Sequence, residues 1–423
     1  MAKIKQIVAT EILDSRGNPT VEATVILNDG AVGIAASPSG SSISSYEASE
    51  LRDHDENRYH GLGVLKAISN IDTIIAPELV GMDASKQAEI DKRMIELDAT
   101  QNKSRLGANA VLSVSMAVAK AAAKSAVLPL FLYLRQFLKT EHETLKIPTP
   151  IFNILNGGKH AGGNVDFQEF IIIPASSKSY QEGLQLGFTI YNTLRATLKS
   201  NNLSTMVGDE GGFAPNLQSN KEAFSIIKTA IEQSPYRYGF DVFLGCDVAA
   251  STFFDKGQYH LKEKSSPLSS KDLTTYYVDI LKEYPLLYLE DPLSEDDWDG
   301  WVEFSKLCPS QTMLIGDDLI STNPYRLQMA LEKKVVSGII IKPNQIGTVI
   351  EALAVVEVAR EAGLKIIVSH RSGETDDDFI ADFAVAVSAD YAKFGAPARG
   401  ERVAKYNRLI HIEKQLKSLS STS

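Results

Sequence analysis

Leu286-Leu287-Tyr288-Leu289-Glu290 is a short apolar run closed by a charged residue, and the pattern recurs. Met313-Leu314-Ile315-Gly316 ends at Asp317, and Gly338-Ile339-Ile340-Ile341 at Lys342. Lys365-Ile366-Ile367-Val368-Ser369 ends at His370, followed by Arg371 and Ser372, and Tyr391-Ala392 ends at Lys393. The end residues fall 27, 25, 28 and 23 positions apart. One buried strand, a covering helix and two turns take roughly 25–30 residues, and parallel strands need such a crossover. The runs are continuously apolar rather than alternating, as strands covered on both faces are. Helical patterns fill the gaps, clearest over 347–362. The repeat predicts successive βα units, an α/β chain whose second half is a (β/α)₈ barrel. The carboxyl ends of such strands open on one face. Glu290, Asp317, Lys342, His370, Arg371, Ser372 and Lys393 are therefore expected to line one pocket. A single strand-end charge is usually a cap or a solvated group, but five in register argue against that explanation.

Working outward, the chain of 423 residues is long enough for two sizeable cores, with 44% hydrophobic and 23% charged residues. The net charge of −10 is spread along the chain without a basic stripe, which argues against nucleic acid as a partner. Cys246 and Cys308 have neither zinc nor redox spacing and read as reduced core thiols of a cytosolic protein. No signal peptide is read at the start. The most apolar stretch, 110–134, is interrupted by Lys120, Lys124 and Pro129 and reads as a buried helix, not a membrane span.

Upstream of the repeat, strands are expected over 4–13, 20–27 and 31–36, and helices over 46–52, 63–75, 85–97 and 108–126. Strands followed by helices predict an α+β domain over 1–140, with the barrel over 141–423. The serine-rich stretch after Pro38, Ser39-Gly40-Ser41-Ser42-Ile43-Ser44-Ser45, is expected to be an exposed loop. In the barrel half, Gly157-Gly158-Lys159-His160-Ala161-Gly162-Gly163 suggests either a mobile loop or a close backbone approach. Gln168 and Glu169 open an apolar run, Gly208-Asp209-Glu210-Gly211-Gly212 boxes an acidic pair in glycine, and Phe243-Leu244-Gly245-Cys246 ends at Asp247.

Asp247, Glu290 and Asp317 are three hard oxygen donors with no His or Cys among them, which suits Mg²⁺ better than zinc. The alternative is a set of acids quenched by Lys342 and Lys393. A lysine beside bound cations has its charged form disfavoured, so its pKa is expected to fall toward that of a useful base. Arg371 and Ser372 offer a guanidinium fork and a hydroxyl, a phosphate cradle. Glu169 and Glu210 are candidates for a proton donor or relay. Together these groups suggest removal of a proton next to the carboxylate of a phosphorylated acid.

The sequence resembles the enolase family over essentially its whole length. The resemblance rests on Leu13-Asp14-Ser15-Arg16-Gly17-Asn18-Pro19, Gly208-Asp209-Glu210-Gly211-Gly212-Phe213-Ala214-Pro215-Asn216, and Leu289-Glu290-Asp291-Pro292. It rests equally on Asn344-Gln345-Ile346-Gly347, Ser369-His370-Arg371-Ser372-Gly373-Glu374-Thr375 and Arg402-Val403-Ala404-Lys405-Tyr406-Asn407. It implies an N-terminal α+β cap and a TIM-type barrel whose first strands depart from regular alternation. It implies the glycolytic lyase reaction, reversible dehydration of 2-phospho-D-glycerate to phosphoenolpyruvate. Lys342 would be the base, Glu210 the acid and Glu169 the acid's partner, with His160 also in the catalytic group. His160, Gln168, Glu169, Lys342, His370, Arg371, Ser372 and Lys393 would contact substrate. Asp247, Glu290 and Asp317 would hold one Mg²⁺, and a second, arriving with substrate, would meet Ser42.

The resemblance further implies a cytoplasmic protein and at least a homodimer. Members of the family bind plasminogen at cell surfaces, but the terminal lysine linked to that is replaced by Thr422-Ser423. The main departure is in the lid. Ser41, Ile43 and Ser44 stand where the family has Ala, Thr and Gly, so closure is expected to be less favourable. The rival reading is an eroded paralogue of low activity with a binding role.

Overall fold

A computed structural model describes residues 2–41, 44–139, 144–162 and 165–421, with side chains through residue 418. The chain opens with three antiparallel strands in spatial order β1 (Ile4–Leu13), β2 (Pro19–Leu27), β3 (Val32–Ala36). Along β2, Val21, Ala23, Val25 and Leu27 are all buried, the period-two signature of a sheet with one covered face. The cover is the helix Ala108–Ser125, whose small residues let it come close. At Gly33 a Cβ would lie 2.0 Å from the carbonyl oxygen of Ala117, so only glycine fits there.

Two expectations for this half are corrected. Residues 46–52 form no helix, because their backbone N–H groups bond outward to other segments. Ala48 N donates to Gln345 O at 2.8 Å, Ser49 N to Asn102 O at 2.8 Å and Leu51 N to Asn109 Oδ1 at 3.0 Å. The serine-rich loop is exposed only in part where it is described: Ser39 and Ser44 are buried, Gly40 and Ser41 half-buried and Ser45 exposed. Ser39 and Gly373 exchange two backbone hydrogen bonds, at 2.8 and 2.9 Å, which pins the loop to the barrel mouth.

The second half is a closed eight-stranded barrel. Its strands are β4 (Thr149–Asn156), β5 (Glu169–Pro174), β6 (Val242–Asp247), β9 (Leu286–Glu290), β10 (Met313–Gly316), β11 (Gly338–Ile341), β12 (Lys365–Ser369) and β13 (Tyr391–Lys393). A two-residue hairpin, β7 (Phe254–Asp255) and β8 (Gln258–Tyr259), interrupts the count. Round the barrel the order is β10-β11-β12-β13-β4-β5-β6-β9. β5 runs antiparallel to both neighbours, and the other described pairings are parallel. The barrel is thus of the α/β class with an irregular start, as the sequence led one to expect. Ile151, Ile171, Ile173, Tyr288, Ile315, Ile340 and Ile367 pack its interior as one buried cluster. The expected domain boundary falls beside residues 140–143, outside the described residues.

Candidate active site

The parallel strands deliver their last residues to one end of the barrel. β6 ends in Asp247, β9 in Glu290 and β13 in Lys393, and Asp317, Lys342 and His370 follow β10, β11 and β12. Because β5 runs the other way, its first residue reaches the same end. Glu169 is paired in register with both Asn156 and Asp247. Gln168, one residue earlier, donates from its Nε2 to Asp247 Oδ2 at 3.2 Å. His160 and Glu210 come from the two glycine-rich segments. Asp209 N donates to His160 O at 3.2 Å, and a Cβ on Gly208 would lie 2.3 Å from that same oxygen. Of the two readings of the glycines at 157–163, close backbone approach is the one realised at Gly157, where a Cβ would lie 2.3 Å from Phe167 O.

His160, Gln168, Glu169, Glu210, Asp247, Asp317, Lys342, His370, Arg371, Ser372 and Lys393 all border one pocket. Glu290 lies beneath it, fully buried under Lys393. Ser42 lies outside the described residues, and Ser41 is the loop serine that borders the pocket. The space left between these side chains is about 20 Å³, on the scale of one water molecule. A wider cavity, about 540 Å³, shares Ser41 and is bordered by Arg16, Glu50 and Arg52.

Two buried ammonium groups hold the acids apart. Lys393 Nζ lies 2.8 Å from Glu290, 3.2 Å from Glu169 Oε2 and 3.8 Å from Asp247 Oδ2. Lys342 Nζ donates to Asp317 Oδ2. Burial lifts Asp247 to about 6, and burial plus the Asp247 charge lifts Glu290 to about 8. At Asp317 burial pushes the same way, but Lys342 outweighs it and the carboxyl stays below its ordinary range. The converse holds for the lysine beside these acids alone. Burial favours neutral Lys342, but the acids around it, Asp317 first and Glu290 with it, together outweigh burial and raise it above its ordinary range; the fall expected from the sequence is one that bound cations would bring about.

The opposite wall carries a second pair of carboxyls. Glu210 Oε2 accepts from Asn153 Nδ2 at 2.9 Å and faces His370 Nε2 at 3.3 Å, while its Oε1 lies 3.5 Å from His160 Nδ1. Burial would raise Glu210, but these neighbours and Arg402 outweigh it and hold it ionised. Glu169 goes the other way: burial and the Glu210 charge push it well above the carboxylate range. Of the two, Glu169 is the one whose protonated form is favoured and Glu210 the one whose ionised form is.

Arg371, bordering both the pocket and the loop, is fully buried with its NH1 2.8 Å from Glu47 Oε2. Glu47 Oε1 also accepts from Ser44 N at 3.2 Å. Sequence reasoning gave no role to Glu47, Asn153, Asp318 or Arg402. Of these, only Arg402 lay in a motif already singled out, and the stretch around Glu47 read as a helix.

The donor chemistry suits a hard cation. Asp247 and Glu290 are buried carboxylates whose shared site is short of positive charge. Two tighter groups also place ligand atoms within 4.8 Å of one another, Asp291–Asp317–Asp318 and His160–Glu169–Glu210. Asp318 is lifted to about 7 by burial and by Asp317. The expected trio is not itself that compact in this arrangement, because Lys393 and Lys342 stand between its members. Asp317 alone belongs to both sets.

No described helix is long and apolar enough to cross a membrane. Residues 4–134 match the family described as "Enolase, N-terminal domain", and residues 144–422 match "Enolase, C-terminal TIM barrel domain". With both matches spanning nearly the whole chain, and the barrel-end acids and lysines where the motifs put them, this chain belongs to the enolase family.

Proposed function

We propose that the protein is a Mg²⁺-dependent hydro-lyase of glycolysis that interconverts 2-phospho-D-glycerate and phosphoenolpyruvate. The observation that carries this reading is the placement of Lys342 and Glu169. Lys342 follows β11, and Glu169 opens β5, four strands away in either direction round the closed barrel. A base and a carboxyl pair on opposite walls suit removal of a proton from one face of a three-carbon acid and of hydroxide from the other.

In this reading Lys342 takes the C2 proton, and Glu210, supplied through its proton-sharing partner Glu169, protonates the leaving C3 hydroxyl. Arg371 and Ser372 hold the phosphate, with Gln168, His160, His370 and Lys393 orienting the rest. Asp247, Glu290 and Asp317 would hold one divalent cation and Ser42 would meet a second. Bound cations supply the positive charge that offsets the second negative charge growing on the substrate carboxylate. Lys342 must lose its proton before it can act, and relief of its contact with Asp317 favours that loss. The reading includes a cytoplasmic homodimer and a division into 1–140 and 141–423; the family resemblance supports both.

The test is direct. Purified protein with 2-phosphoglycerate and Mg²⁺ should build up the ultraviolet absorbance of phosphoenolpyruvate. Failure to do so, with the protein folded and Mg²⁺ in excess, would sink the reaction and favour a binding role.

A further inference from the structure

Arg402 lies in the first turn of the helix Gly400–Ser421 and is fully buried. Its NH1 is 2.7 Å from His370 Nδ1. A guanidinium has five N–H donors and no acceptor, and it does not deprotonate in proteins. The Nδ1 it faces must therefore present a lone pair. A neutral imidazole with its lone pair on Nδ1 carries its proton on Nε2. Nε2 lies 3.3 Å from Glu210 Oε2 and has no hydrogen-bond partner within the ordinary angular limits among the described residues.

We infer that Arg402 is a positioning residue that fixes His370 in its Nε2–H tautomer and thereby places one N–H of a neutral ring beside Glu210. A second observation supports the arrangement. The same guanidinium donates to Arg371 O at 2.5 Å, Ser372 O at 2.6 Å and Asp209 O at 3.0 Å. It therefore ties the segment bearing His370, Arg371 and Ser372 to the segment bearing Glu210. Gly395 makes room for this. A Cβ there would lie 2.9 Å from His370 Cε1, 3.0 Å from Arg402 Cδ and 2.8 Å from Glu210 O, and its φ is +88°.

The consequence is a division of labour. Burial opposes a second proton on the ring, and the permanent cation against Nδ1 opposes it further, so that together they outweigh the Glu210 charge and His370 is pushed down to about 3. His370 then acts as a fixed donor rather than as an acid or base. A donor facing Glu210 favours its ionised form, which leaves Glu169 as the one of the two whose protonated form is favoured.

The first test does not need the reaction. Protein labelled with ¹⁵N in histidine is examined at pH 7 by long-range ¹H–¹⁵N correlation, and the His370 signals are assigned by their loss in His370→Asn. A protonated Nε2 with a bare Nδ1 is expected. An Nδ1–H ring, an imidazolium or an averaged pair of nitrogens would overturn the inference.

The second test rests on the proposed reaction and separates positioning from general support. Arg402→Lys should lower kcat about 10–100-fold, the usual size for loss of a group that orients an imidazole. In a His370→Asn background the same substitution should cost little further kcat. Its effect on KM should persist in both backgrounds, because the Arg371 and Ser372 carbonyls are still disturbed. A kcat loss undiminished without His370 would show that Arg402 does not act through the ring. An inactive parent would sink the proposed reaction alone, and the tautomer measurement would still decide the inference.

Discussion

Lys393 Nζ lies 2.8 Å from both carboxylate oxygens of Glu290 and 3.2 Å from Oε2 of Glu169, so one buried ammonium faces two strand-end acids at once. With Asp247 at 3.8 Å, a single cation serves a neighbourhood of three carboxyls. Contact with these acids holds Lys393 well above its ordinary range despite burial.

Removing that ammonium leaves buried negative charge uncompensated. Lys393→Met should lower stability by about 3–5 kcal/mol in chelator. A divalent cation that binds the native acids and not the unfolded chain stabilises by mass action. Added Mg²⁺ should therefore raise the melting temperature of Lys393→Met more than that of the parent. Equal shifts in both proteins would show that these acids do not form the cation site.

The proposed division between base and acid can be checked by separating the two half-reactions. Lys342→Ala should abolish exchange of the C2 proton with solvent deuterium. Glu210→Gln should block dehydration but leave some exchange, and Glu169→Gln should resemble it. Each lost acid or base role is worth about 10²–10⁴-fold. Exchange that survives in Lys342→Ala and vanishes in Glu210→Gln would reverse the assignment.

The barrel was legible because its strands are buried on both faces and close with a functional residue, so that period and chemistry coincide from Glu290 to Lys393. The convergence of the strand-end residues from Glu290 to Lys393 on one barrel end was legible for the same reason. The regions that misled are those where tertiary hydrogen bonds replace local ones. Residues 46–52 carry helix-forming side chains, yet Gln345, Asn102 and Asn109 take up their backbone donors. The serines around Ser39 read as solvated because composition does not reveal that Gly373 pairs with their backbone. The protonation of Lys342 depends on which charges lie within reach, a three-dimensional fact that the string does not carry. Arg402 lay in a recognisable motif, but nothing in the string shows that its guanidinium meets the ring of His370.

Asp91 gives a pH prediction away from the pocket. It is buried between the helices Gln87–Asp98 and Ala108–Ser125 and accepts from Ser115 Oγ at 2.7 Å, Gln87 Nε2 at 2.9 Å and Ile350 N at 3.0 Å. Burial nevertheless pushes it up to about 7, the bonds only partly offsetting it. Between the ordinary aspartate value, near 4, and about 7, the native protein holds a proton that the unfolded chain has released. This group's contribution to stability should therefore decline as pH rises through that window and level off above it. Asp91→Asn should flatten the slope between pH 4 and 7, measured by chemical denaturation. An unchanged slope would show that Asp91 is ionised throughout. Asp91→Ala leaves three donors unpaired and should cost more than Asp91→Asn at every pH.

Ser44 turns the sequence argument about the lid around. Glycine at this position, as in the family, promised an easier hinge, and serine a less favourable closure. In the structure the Ser44 hydroxyl donates to Asp318 O at 3.3 Å and accepts from Tyr46 N at 3.2 Å, while its backbone N–H bonds Glu47. Glu47 in turn holds Arg371, so the loop is fastened to both the Asp318 side and the Arg371 side of the pocket. Each hydroxyl bond contributes about 0.5–1.5 kcal/mol, and glycine would add backbone freedom to the open loop. Ser44→Gly should therefore reduce the closed fraction and weaken apparent Mg²⁺ affinity at saturating substrate, by up to about tenfold for 1.4 kcal/mol. Ser44→Ala loses the hydroxyl but keeps the stiffer backbone, so it should weaken affinity less. Tighter apparent Mg²⁺ binding in Ser44→Gly would mean that hinge freedom outweighs the anchor and that the serine does hinder closure.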